Sequence, residues 1–186
     1  MKKLKLKLFS LTLIIIVLML VCQVRIVDDS FSHASNGTAT SVVTSGNIKL
    51  SVYEAVPPKK GMTIVPGESI AWQVEAKNLG DHPFYLRIKL AITTTSTDPV
   101  AQNCLLPQLD EALWEYHEGW YYYKTAIAPG TTPIRLFNTV AVNGAVVDNS
   151  YMNKQIDATV VAHAVQSDHN PLTDGKTFTA AGWPRE

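Results

Sequence analysis

Residues 69–92 read SIAWQVEAKNLGDHPFYLRIKLAI, and the spacing of their apolar side chains decides the fold class. Ile70, Trp72, Val74 and Ala76 alternate with Gln73, Glu75 and Lys77, and Phe84, Leu86, Ile88, Leu90 and Ile92 alternate with Tyr85, Arg87 and Lys89. A period of two gives an extended chain one apolar and one polar face; wound into a helix, the same residues would scatter around the axis. Between the two runs, Asn78-Leu79-Gly80-Asp81-His82-Pro83 is turn chemistry. The two strands are therefore expected to pair as an antiparallel hairpin or a corner of one sheet.

The same signature extends in both directions. Upstream, Ile48, Leu50 and Val52 alternate with Lys49, Ser51 and Tyr53, and Pro66-Gly67 separates this run from the next. Downstream, Trp120-Tyr121-Tyr122-Tyr123 reads as an aromatic strand, and Pro129-Gly130 turns the chain into another at 134–142. Asn143-Gly144 between Val140-Ala141-Val142 and Ala145-Val146-Val147 is a two-residue hairpin signal. Ile156, Ala158, Val160, Ala162 and Ala164 line one face of a long last strand, accompanied by the β-branched Thr159, Val161 and Val165. Residues 94–109, with Pro99 and Pro107, form a long connection expected to cross between sheets. A short helix is expected over 109–116, with Asp110 placed to open it and Leu113 and Trp114 to dock it. Many short strands at regular spacing predict an all-β protein, a β-sandwich with one short helix.

The chain has 186 residues and a formal net charge of zero, but that balance hides an asymmetry. Lys2, Lys3, Lys5, Lys7 and Arg25 sit near the start; from Ser35 onward acidic residues outnumber basic ones and the net charge is about −3. No basic stripe remains of the kind nucleic acid demands, so DNA and RNA binding are set aside.

The first residues carry an address. After the positive stretch 1–7 comes an apolar run at 8–22, LFSLTLIIIVLMLVC. As a helix it would span about 22 Å, against about 30 Å for a bilayer core, which suits the apolar region of a signal peptide better than a permanent anchor. The small residues Ser32 and Ala34 make the cleavage site near 32–34, with Ser30 and Ser32 as a second choice; an uncleaved signal anchor is the alternative. Val21 before Cys22 stands where lipid attachment wants a small residue. The expected organisation is a signal helix at 1–34, an extended N-terminal segment at 35–47 and a sandwich domain at 48–186, with membrane contact only through the signal segment. Cys104 is the one thiol after the leader, so no intrachain disulfide is possible. It reads as a small, partly buried side chain.

Four patches carry a family resemblance: FSHASNGTATSVVTSGNIKL at 31–50, PGESIAWQVEAKNLGDHPFYLRIKL at 66–90, Trp114 with EGWYYYK and APGTTPIRLF between 118 and 137, and the strand ending Ala164-Val165-Gln166. In order and spacing these resemble the TasA and camelysin family of exported Gram-positive proteins with a SipW-type signal peptide. The resemblance implies a jelly-roll-like sandwich, processing by a dedicated signal peptidase, and a secreted, cell-surface or extracellular-matrix location. It also implies a structural role as a biofilm-matrix or fibre subunit that associates with itself or with a related matrix protein. In such fibres an N-terminal strand completes a neighbour's sheet. The charged stretch 25–29 departs from the family pattern.

The physics of that exchange reads independently. Thr38, Ala39, Thr40, Ser41, Val42 and Val43 are small or β-branched, with no proline and no charge. Added to an open sheet edge they would supply main-chain hydrogen bonds, while Ala39 and Val42 or Val43 fill gaps. Pairing within the same domain is the competing reading.

Camelysin relatives are classed as metallopeptidases, so a surface metallopeptidase is the alternative function. The sequence offers it little: His33, His82, His117, His163 and His169 are the histidines, and none stands in an HExxH motif. On one extended strand His163 and His169 would lie about 20 Å apart. There is no G-x-S-x-G elbow, no phosphate loop, and no histidine beside Cys104. No catalytic, metal or cofactor residues are assigned. A glycan- or partner-binding module is the third reading, carried by Trp120, Tyr121, Tyr122 and Tyr123. A strand puts Trp120 and Tyr122 on one face and Tyr121 and Tyr123 on the other, so one pair is expected in the core and the other at the surface.

Overall fold

The computed structural model describes residues 41–45, 48–95, 97–152, 154–168 and 170–185. Among them are nine strands: β1 (Ser41–Ser45), β2 (Leu50–Val56), β3 (Ser69–Asn78), β4 (Phe84–Thr94) and β5 (Leu105–Pro107), followed by β6 (Trp114–His117), β7 (Trp120–Tyr123), β8 (Ile134–Val142) and β9 (Ile156–Gln166). Sheet A has the order β1-β9-β4-β7-β6 and sheet B the order β2-β3-β8-β5. Pairing is antiparallel throughout except between β1 and β9, which run parallel. From β3 onward the chain crosses repeatedly from one sheet to the other, a jelly-roll-like winding in which these strands turn their apolar faces to the space between the sheets. The signal segment at 1–34 and residues 35–40 lie outside the described residues.

The interior follows from the period-two pattern. Phe84, Leu86, Ile88, Leu90 and Ile92 of β4 share one buried cluster with Trp72, Val74 and Ala76 of β3 and Val140 and Val142 of β8. Across the β4–β9 ladder each bulky side chain has a smaller neighbour: Leu86 faces Ala164, Ile88 faces Ala162 and Leu90 faces Val160. This pairing of large with small lets the inner face fill without voids or clashes. Full burial of each such aliphatic or aromatic side chain contributes about 1.5–3 kcal/mol. Trp72 meets Phe137 edge to face at 5.6 Å, and its indole N–H donates to Glu54 Oε1 at 3.0 Å, so its one polar atom is satisfied.

Three local expectations are corrected. β3 and β4 do not form a hairpin or share a sheet; β3 lies in sheet B and β4 in sheet A. Asn78, almost wholly buried, holds the connection: its Nδ2 donates to the carbonyls of His82 and Ile127, each at 2.9 Å, and its Oδ1 accepts from Gly80 N. Gly80 is required, since a Cβ there would stand 2.8 Å from Lys49 N. Turn residues signalled the reversal but not its direction, which runs across the layers.

The helix expected over 109–116 is a single turn followed by a strand. Leu113 N and Trp114 N both donate to the Asp110 carbonyl at 2.9 Å, and Asp110 Oδ1 accepts from Ala112 N. At Trp114 the chain becomes β6, whose partner β7 is reached through a two-residue turn with positive φ at Glu118 and Gly119. The helical elements among the described residues are two 3-10 turns, Asn149–Tyr151 and Thr177–Thr179. Asn143-Gly144, finally, makes no hairpin. Val146 N and Val147 N fold back onto the Asn143 carbonyl, because both sides of β8 are already taken by β3 and β5. Residues 94–109 do cross between the sheets, running from β4 in sheet A to β5 in sheet B.

Candidate functional site: the outer face and margins of sheet A

On β4 the residues that alternate with the core point away from sheet B. Arg87 is one of them, and on an open sheet it would stand in water. It is instead 6% exposed. Residues 171–185 contribute its cover, and the contacts are directional. Arg87 Nε and Nη2 reach His163 Nδ1 at 3.3 and 3.0 Å, Nη1 donates to Tyr122 Oη at 3.1 Å, and Nη2 donates to the Pro184 carbonyl at 2.7 Å. A guanidinium only donates, so Nδ1 is the acceptor and its imidazole carries no proton there. The guanidinium carbon sits 4.1 Å from the centre of the Trp120 ring and 5.0 Å from that of Trp183, close enough for cation–π attraction.

The C-terminal segment adds its own anchors. Phe178 stacks on His117 at 4.1 Å with 16° between the planes, Trp183 meets Tyr122 edge-on at 5.4 Å, and the Trp183 indole N–H donates to the Thr177 carbonyl at 3.0 Å. Lys176 pairs with Glu115 at 2.8 Å, but this pair is at the surface and stabilises little. Between the β6–β7 hairpin and the segment lies an open cleft of about 470 Å³.

The four aromatic residues singled out in β7 divide by face, with an unexpected outcome. Trp120 and Tyr122 are buried on the outer face, beside Arg87 and the C-terminal segment. Tyr121 and Tyr123 are half-buried and pack against the core. Burial, with a smaller contribution from nearby Tyr116, pushes the Tyr121 hydroxyl pKa up.

Cys104 is fully buried, and burial raises its thiol pKa so that it stays protonated. Among the described residues no three or more His, Cys, Asp or Glu side chains gather where a metal ion could sit. His82 Nδ1 lies 3.6 Å from Asp168, at the surface; His33 and His169 lie outside the described residues, as do Ser32 and Ala34. The sequence reading passed over Arg87, Phe178 and Trp183. Two aromatic side chains, Phe178 and Trp183, in a segment beyond the last alternating strand were the legible sign, because such rings need cover.

The margins of the sheets are the second feature. Ser41, Val42 and Val43 lie in β1, in register with Val161, Ala162 and His163 of β9; Thr38, Ala39 and Thr40 lie outside the described residues. Of the remaining margins, β5 is three residues long and contains Pro107, which has no N–H to offer. β2 has a register shift between Glu54 and Val56. β6 has four residues and ends at the left-handed turn. Short strands, proline and bulges all resist pairing with another chain. No family model matches the chain, and neither a curated protein nor a solved structure matches it.

Proposed function

We propose that this chain is an exported structural subunit of the TasA and camelysin kind, built into an extracellular or cell-surface assembly by strand addition at the β1–β9 margin. The observation that carries this reading is the parallel register of β1 on β9 in a sandwich that is otherwise antiparallel. β1 is five residues long and is the first strand among the described residues, and its partner β9 is distant in sequence, so the two are not arms of a tight hairpin. Parallel pairing is slightly weaker per residue than antiparallel pairing. A strand held in this way can leave β9 and be replaced by the equivalent strand of a second copy with the same hydrogen bonds. The other margins carry features that oppose such addition, which favours growth at one place. The contact is head to tail, so it propagates as a fibre unless the rotation closes a ring. The leader at 1–34 and its processing by a signal peptidase belong to the same reading, since cleavage frees the segment that contains β1.

The test is electron microscopy of the secreted form after its N-terminus has been sequenced. Filaments are expected from processed protein, and deletion of residues 35–43 is expected to abolish them. Correctly processed protein that stays monomeric at high concentration would refute the reading.

A further inference from the structure

We propose that the open cleft between the β6–β7 hairpin and residues 171–185 binds a carboxylate-bearing sugar ring of the uronic acid class. The charged group buried in its lining is Arg87, 6% exposed. Buried charges are ordinarily paired with an opposite charge. Arg87 meets three acceptors, His163 Nδ1, Tyr122 Oη and the Pro184 carbonyl, and none of these is a carboxylate. Among the described residues no carboxylate stands within ion-pair distance of Arg87. A guanidinium carries five N–H groups. Those contacts use the Nε group, both on Nη2 and one on Nη1, so the second Nη1 N–H has no partner among the described residues. A carboxylate is an anion that such a group binds strongly. Arg185, exposed on the same cleft, supplies a second positive charge where water and ligand arrive.

The rest of the lining selects among anions. Phe178 and Trp183 are half-buried rings on the cleft, and the C–H face of a pyranose packs against such rings. Glu118, with its side chain 85% exposed, is the carboxylate in the lining. It accepts hydrogen bonds from hydroxyl groups and repels a densely charged anion such as phosphate. A uronate carries one carboxylate, an apolar face and several hydroxyl donors on a single ring, which is the combination these side chains address. The cleft, about 470 Å³, falls within the range of about 300–1,000 Å³ usual for small-ligand sites. Because it is open, it accepts either a free sugar or a ring within a polymer. The β6 end of sheet A is the margin opposite β1, so this binding does not depend on strand addition.

The test titrates the purified protein, at neutral pH and low ionic strength, with galacturonic acid, its trimer, the neutral trimer of galactose and inorganic phosphate. Calorimetry gives the affinities, and NMR follows the indole N–H signals. The acidic trimer is expected to bind at least about tenfold more tightly than the neutral one. It is expected to shift the Trp183 indole, while the Trp72 indole, which donates to Glu54 on sheet B, stays in place. Tighter binding of the acidic trimer than of its monomer marks a polymer as the source, and equal binding a free sugar; both sustain the proposal. Arg87→Met is expected to abolish binding. Arg185→Gln is expected to weaken it about threefold, whereas Arg135→Gln, which removes the same charge from β8 on sheet B, leaves it unchanged. The proposal is overturned if the neutral trimer or phosphate binds as tightly as the uronate, or if Trp183 does not respond. Equal losses in Arg135→Gln and Arg185→Gln overturn it too. Should Arg87→Met also move the Trp72 indole, its fold is altered and Arg185→Gln decides in its place.

Discussion

The two faces of β4 are buried by different physical means. On the inner face Phe84, Leu86 and Ile88 are shielded by apolar neighbours, and the attraction there has no preferred direction. On the outer face Arg87 is also buried, yet its cover is a set of aimed acceptors, the His163 imidazole, the Tyr122 hydroxyl and the Pro184 carbonyl, together with two indole rings. The inner face resists change because nothing can move away from it. The outer face is covered in part by residues 171–185, whose hold is a handful of directional hydrogen bonds and ring contacts. One strand thus carries two kinds of burial, one without direction and one built from aimed contacts.

That contrast is sharpest in the response to truncation. Leu86→Ala removes a fully buried side chain facing Ala164, leaves a cavity that neither sheet can close, and should cost about 2–5 kcal/mol in urea unfolding, with every probe shifting together. Arg87→Met keeps the aliphatic stem and deletes the donors. It should cost less, about 1–3 kcal/mol, because water in the adjoining open cleft can replace the lost donors at Tyr122 and the Pro184 carbonyl. Its signature is uneven: Trp183 fluorescence becomes that of an exposed indole while the cooperative core transition persists. Equal costs, with both regions unfolding as one, would erase the distinction between the faces.

The smallest effect is expected on sheet B, far from both. Hydrogen bonds from the Tyr53 hydroxyl at 2.8 Å and from Gln73 hold the Glu75 carboxyl below the usual carboxylate range. A lowered folded pKa gives a contribution that is present above the unfolded value and lost as pH falls through the folded one. Tyr53→Phe removes the larger cause, so the Glu75 titration should move up toward the ordinary value. The stability difference from wild type should vanish in acid. Side-chain carboxyl NMR and parallel acid unfolding curves check both.

The strands were the legible part of this fold. Alternation placed Trp72, Val74, Leu86, Ile88, Val160 and Ala162 correctly on inner faces, since a two-residue period is written in the chain itself. What escaped depends on partners distant in sequence. Asn78–Pro83 announced a turn, but only the Ile127 carbonyl bound by Asn78 turns it toward the other sheet. Asn143-Gly144 has hairpin chemistry, but whether a hairpin forms depends on β3 and β5 having already filled the sides of β8. Trp114 and Tyr116 suit a helix turn as well as a strand, and the choice went to β7. The outer cluster was hidden for the same reason: Arg87, Tyr122, His163 and Trp183 are scattered over nearly a hundred positions, and no local pattern joins them. The candidate strand at 38–43 was visible as composition, whereas its parallel register on β9 was not.

The position of β9 has a temporal consequence. It is the last strand among the described residues and yet sits inside sheet A, between β1 and β4. A polypeptide emerging from its N-terminal end during synthesis leaves β4 and β1 without a common neighbour until residues 156–166 have appeared. Completion of sheet A is therefore a late, long-range event, and such non-local topologies are intrinsically slow to fold. The growing chain stays open, and threadable, for most of its synthesis.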